Sequence, residues 1–128
     1  MGDNIPDGLH TVTPYFTVLD ADLLVAFLGS AFGGQVVKED RDRHGRIRHA
    51  RVRIGDSIIM LNEASAEYPA NDSQIHILVA DVDAAFDRAV NQGASVIMEP
   101  NLRRHGDRMA GVVDPCGNRW WIASPQRA

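Results

Sequence analysis

Tyr15 and His76, 61 residues apart in the chain, carry side chains able to pass a proton at neutral pH. As an acid and base pair they would serve a lyase or isomerase. A single histidine without a carboxylate nearby in sequence is more economically a hydrogen-bonded polar residue. Trp121 offers a flat indole of large area, suited to stacking on an aromatic or heterocyclic ligand. Met60 is adaptable apolar lining. Six arginines (Arg41, Arg43, Arg46, Arg48, Arg51, Arg53) crowd one segment with His44 and His49, and guanidinium groups match carboxylate and phosphate geometry. Glu39, Asp40 and Asp42 lie beside them, so Arg41 to Arg48 read as a solvated, ion-paired hairpin with its tip at His44-Gly45. Arg108 is a further candidate for holding an anion or a backbone carbonyl. Cys116 is the single cysteine; with no histidine near it in sequence, it is given no catalytic part.

The elements that position these residues come in two copies. Residues 13–39 and 74–100 align at a constant, gap-free separation of 61 (Asp20 to Asp81). Each begins with an apolar strand and passes through an aspartate placed to cap a helix. Helical spacing follows (Leu23, Leu24, Phe27, Leu28; Val82, Ala85, Phe86, Ala89, Val90), with glycine stops at Gly33-Gly34 and Gly93. Residues 46–61 and 109–123 each read as two further strands around a turn, Gly55-Asp56 in the first and Asp114-Pro115-Cys116-Gly117 in the second. Each unit is therefore β-α-β-β-β, and the fold class is α+β. Module one spans about 10–63, a polar linker 64–73, and module two about 74–124. The linker is a plain connection or a lid carrying Tyr68.

Strand pairing predicts which side chains face a cleft. A two-residue turn at Gly55-Asp56 opposes Arg53 to Ile58, Arg51 to Met60 and His49 to Asn62 on one polar face. Val52, Ile59, Ala50 and Leu61 form the other, apolar face, which packs on the helices. Tyr15, Thr13 and Thr17 belong to the polar side, as do Gln74, His76 and Leu78 by the repeat. Trp121 follows Met60 inward, with Trp120 on the helix side beside Val113.

With 128 residues the chain suits one domain. A net charge of −4 argues against a nucleic-acid or anionic-membrane partner, which calls for basic excess. No apolar run reaches the length of a membrane span, and the MGDNIPDG start lacks the regions of a secretory signal. A cytoplasmic location is expected.

Paired β-α-β-β-β units, with DVDAAFDRAVNQGA and GDRMAGVVDPCGNRWWIA, resemble the vicinal-oxygen-chelate superfamily, most closely the PhnB-like branch of the glyoxalase/bleomycin-resistance proteins. The resemblance runs from about His10 to Ser124. It implies eight strands curling as a mixed sheet around a cleft, helices on the outer face, and a homodimer. Metal-dependent members place His or Glu at four symmetric positions, which fall here on Thr13, Met60, Gln74 and Trp121. None is a normal ligand of a divalent first-row ion, so no metal and no cofactor is expected. The function expected is metal-independent binding of a small, partly aromatic molecule, of resistance or sequestration type, by Thr13, Tyr15, His49, Arg51, Met60, Gln74, His76, Arg108 and Trp121. The alternative is a glyoxalase-like lyase or isomerase, metal-free through His76 and Tyr15 or with a displaced metal.

Overall fold

Short apolar strands followed by capping aspartates open both halves of the chain, whose computed structural model describes residues 8–104 and 106–125. In the first half, β1 (Tyr15–Val18) leads into α1 (Ala21–Phe32), β2 (Gln35–Arg41), β3 (Ile47–Ile54) and β4 (Ser57–Glu63). The second half repeats this as β5 (Gln74–Leu78), α2 (Val82–Asn91), β6 (Ser95–Leu102), β7 (Arg108–Val113) and β8 (Arg119–Ser124). The expected α+β architecture of two βαβββ modules and eight strands is the one found. The strands divide into two hydrogen-bonded sheets of four, ordered β1-β4-β3-β2 and β5-β8-β7-β6. β1 runs parallel to β4 and β5 to β8; the remaining pairs are antiparallel.

Helix entry differs between the copies. Asp81 caps α2 from extended backbone, accepting from Ala84 N at 3.1 Å. Asp20 caps α1 from left-handed backbone, φ +64°, accepting from Leu23 N at 3.2 Å. That conformation is costly for a residue with a Cβ. Glu63, at the end of β4, secures it by accepting from Asp20 N and Ala21 N, both at 2.8 Å. At the other end Gly33, φ +71°, closes α1 while Gly34 N donates to Leu28 O at 2.9 Å. The separation of 61 does not persist through this point. α1 has 12 residues and α2 has 10, and the positive-φ glycines Gly33 and Gly93 are 60 apart (93 − 33). It returns to 61 in the last strands, where Met60 pairs with Tyr15 as Trp121 pairs with His76.

The Gly55-Asp56 hairpin sets the expected register: Ile54 opposes Ser57, Arg53 Ile58, and Arg51 Met60. In module two Trp120 opposes Val112, not the expected Val113, because the longer Asp114–Asn118 turn moves the pairing by one residue. The edge strands β2 and β6 each carry an irregularity, at Val36/Lys38 and Val96/Met98. Such breaks discourage further pairing along an open edge.

The helix-facing sides of both sheets join the helices in one apolar core. Phe16 of β1 stacks on Trp120 of β8 with ring centroids 5.7 Å apart and planes 7° from parallel. Phe32 meets the same indole at 5.0 Å. Arg88 of α2 donates to Ala31 O of α1 at 3.1 Å. Since alternate residues of a strand point to opposite faces, Tyr15 and Trp121, the neighbours of Phe16 and Trp120, turn away from this core. No helix among the described residues is long and apolar enough to cross a membrane.

Candidate functional site

Two outward sheet faces result, one per module. On the first, register places Lys38, Arg51, Met60 and Tyr15 in a row across β2, β3, β4 and β1. Tyr15 Oη lies 3.4 Å from His49 Nδ1, and Thr17 Oγ1 donates to Asn62 Oδ1 at 2.8 Å. Burial, then the charges of Arg51 and Lys38, hold the His49 imidazole below its ordinary pKa, against the smaller opposing effect of Asp40. Burial and the neighbouring Tyr68 push the Tyr15 phenol above its ordinary value. Both groups are accordingly neutral near pH 7. An open depression of about 600 Å³ lies at one end of this face, walled by Tyr15, Thr17, Asn62, Arg46, Arg48 and Tyr68.

Tyr68 reaches that wall because the linker is pinned along the edge of β1. Ala64 N donates to Val18 O, Asn71 N to Thr17 O, and Ser73 N to Asn118 Oδ1. The segment forms one side of the depression and is hydrogen-bonded near both ends.

On the second face Trp121 is held from two directions. Its Nε1 donates to Gln74 Oε1 at 2.7 Å. Its six-membered ring lies across Gly111, its partner on β7, where an added Cβ would sit 2.5 Å from Cζ3 and 2.8 Å from Cε3. Only glycine admits the indole so close. The ring is half-buried and held in place by these two contacts. His76 is exposed beside it.

The nine residues expected to line a cleft thus fall into separate groups. Tyr15, His49, Arg51 and Met60 share the first face; Gln74, His76 and Trp121 share the second. Thr13 precedes β1, its hydroxyl 3.5 Å from His10 O. Arg108 does not face inward. It shares the helix side of β7 with Ala110 and Val112, and pairs with Asp83 in the first turn of α2 at 2.7 and 2.9 Å. That pairing holds the Asp83 carboxyl below its usual range. Tyr15 lies on β1 of one sheet and His76 on β5 of the other, and no hydrogen bond joins them among the described residues.

The Asp114–Asn118 turn has a structural part. Asp114 is buried, and its carboxylate accepts from Cys116 N at 2.8 Å, Asn118 N at 3.0 Å, Asn118 Nδ2 and Trp120 Nε1 at 2.8 Å. The turn thereby satisfies the one polar atom of the largest core side chain. The Cys116 thiol, donating towards Leu19 O at 3.4 Å, is pushed up to about 12 by burial and by Asp114, Asp20 and Glu63. Sequence reasoning missed Gly111 and Glu63. The glycine's signal was its place opposite Trp121; Glu63 gave none, since its partners are backbone atoms 43 and 42 residues away.

Among the described residues no group of three His, Cys, Asp or Glu is close enough to share an ion. At the four symmetric positions the only accessible oxygens belong to Thr13 and Gln74, and the Gln74 oxygen is already taken by Trp121.

Comparison with known proteins agrees with this architecture. Two relatives are the uncharacterised proteins Mb0911c of Mycobacterium bovis and Rv0887c of Mycobacterium tuberculosis. Each is 32% identical over 127 residues, covering 91% of this chain and 84% or 75% of the relative. Among solved structures, TioX from Micromonospora sp. ML1 superposes with a TM-score of 0.74 at 25% identity, covering 93% of this chain and 98% of TioX. A PhnB protein from Bacillus cereus shares the fold at 15% identity with a TM-score of 0.69, covering 90% of this chain and 99% of its own. Residues 8–122, nearly all of the described chain, match the family model for these folds, and the chain belongs to the Glyoxalase/Bleomycin resistance protein/Dioxygenase superfamily.

Proposed function

We propose that this chain is a metal-independent binding protein for a small, partly aromatic molecule, of the sequestration or resistance type, in the PhnB-like branch of its superfamily. The observation that carries the reading is Trp121. An exposed indole face is fixed by Gln74 Oε1 and seated on Gly111, an arrangement that prepares a stacking surface at little entropic cost on binding. The core does not need this residue, since Trp120 fills it. Metal independence is supported by the donor set at Thr13, Met60, Gln74 and Trp121, which does not suit a divalent ion.

Each outward face is one wall of a cleft and needs a second wall. Within the chain Tyr15 and Leu78 are exposed on these faces. A homodimer that sets the first face of one copy against the second face of another supplies the missing wall and brings Tyr15, Arg51 and Met60 opposite Trp121 and His76.

Calorimetric titration with planar compounds, naphthalene-2-sulfonamide as the neutral reference, tests the reading. Binding to the wild type is expected, with a loss of about tenfold or more in Trp121→Ala. Unchanged affinity in that variant would refute the stacking surface. Light scattering is expected to give twice 14.0 kDa. One tightly held Zn, Ni, Mn or Fe ion per chain, in protein purified without chelator, would overturn metal independence.

A further inference from the structure

We propose that the ligand carries an anionic group (carboxylate, sulfonate or phosphate), held by Arg51 and Lys38 on the first face; this rests on the aromatic-binding reading above and names the chemistry of its polar end. The basic side chains of this protein divide into two kinds. Arg41 is engaged by Asp22 and Glu39, Arg46 by Asp42, Arg48 by Asp40, and Arg108 by Asp83. Arg88 and Arg103 donate to Ala31 O and Asn101 Oδ1. Arg51 and Lys38, like Arg43, Arg53, Arg104 and Arg119, make neither an ion pair nor a side-chain hydrogen bond to any described residue, but these two are direct partners across β2 and β3.

The position of Arg51 separates it from ordinary solvated cations. Arg51 Nε is shut off from solvent without a hydrogen-bond acceptor, the one buried side-chain nitrogen or oxygen among the described residues left in that state. Buried charged donors are normally satisfied, and an orphan points to an absent partner. The nearest carboxylate along this face, Asp40, is already occupied by Arg48 Nε and Nη2 at 3.0 and 2.9 Å. Burial first, and then the Arg51 and Lys38 charges, depress the His49 imidazole, with Asp40 opposing them. A guanidinium and an ammonium side by side offer directional donors and net charge to a tetrahedral or planar anion. The Tyr15 phenol, in the same row, adds a neutral donor.

The test compares naphthalene-2-sulfonate with the neutral naphthalene-2-sulfonamide, which present the same ring, by calorimetry on the full chain. The sulfonate is expected to bind about tenfold more tightly to the wild type. Arg51→Gln is expected to bring the two affinities within about twofold of each other, and Lys38→Gln to reduce the preference several-fold. Arg51→Lys should restore part of the preference. Lys38 lies on an exposed edge strand, so its variant keeps the test decisive if Arg51→Gln fails to fold. Equal affinity of the two compounds for the wild type, or a preference that survives both substitutions, overturns the inference while the aromatic reading stands. Binding of neither compound removes both.

Discussion

Replacing Gly111 by alanine tests the arrangement of the second face without touching the residue thought to bind. The backbone allows the change, since Gly111 is not among the glycines with positive φ. Space does not: the new methyl would stand 2.5 and 2.8 Å from two carbons of Trp121 and 3.4 Å from Ile97 Cβ. Carbon atoms rest about 3.5–4.0 Å apart, so the indole must withdraw by roughly 1 Å and its bond to Gln74 is lost. Overpacking costs about 1–3 kcal/mol, here near the lower end because the half-buried ring can swing towards water. The lost hydrogen bond adds about 1 kcal/mol. Removing a glycine returns about 0.4–1 kcal/mol by restricting the unfolded chain. The balance is a destabilisation of about 1–2 kcal/mol, or roughly 3–8 °C in Tm for a chain of this size. Trp emission should move to longer wavelength as Trp121 gains water, and naphthalene-2-sulfonamide should bind more weakly. A variant with unchanged melting, emission and affinity would show that the indole does not lie on Gly111, and the case for a prepared stacking surface would fail.

Asp114→Ala removes the acceptor of three donors on the turn and of the Trp120 indole, leaving them buried; a loss of about 3–4 kcal/mol is expected in urea unfolding, with Asp114→Asn intermediate. Glu63→Ala should cost about 1–2 kcal/mol in the same assay, because the left-handed Asp20 and Ala21 lose the carboxylate that accepts from their N–H groups. His49 binds its proton more weakly in the folded chain than in the unfolded one, where the ordinary value is 6.5. Its contribution to stability is therefore full above about pH 6.5 and lost as pH falls through the depressed folded value. His49→Gln should flatten the decline in urea midpoint between pH 7.5 and pH 5, and an identical slope in both proteins would contradict it. Native Cys116 should react with iodoacetamide far more slowly at pH 8 than the urea-unfolded chain, since its thiol is pushed up to about 12; equal rates would show that the turn does not shield it.

Much of the fold was legible in the residues themselves. Helix caps, apolar periodicity and a two-residue hairpin turn act over a few positions, so Asp20, Asp81 and Gly55-Asp56 announced the elements and the β3–β4 register. Alternation along a strand likewise assigned Tyr15, Arg51, Met60 and Trp121 to polar faces. The longer turn at Asp114–Asn118 was less readable, because five residues allow several pairings and the buried carboxylate selects among them.

What only the tertiary structure decided is how the two copies are set against each other. The sequence determines that each module has an apolar and a polar side, and that the positions suited to a metal hold Thr, Met, Gln and Trp. Nothing local says whether the polar sides meet. The stacking of Phe16 on Trp120 joins the apolar sides of both modules in one core, since burying the largest apolar surfaces together dominates the energy of packing. Tyr15 and His76 are left on separate sheets. The same long-range packing takes Arg108 to Asp83 and leaves Arg51 without a partner among the described residues. Side-chain pairing of this kind depends on which surfaces meet, and no spacing along the chain records it.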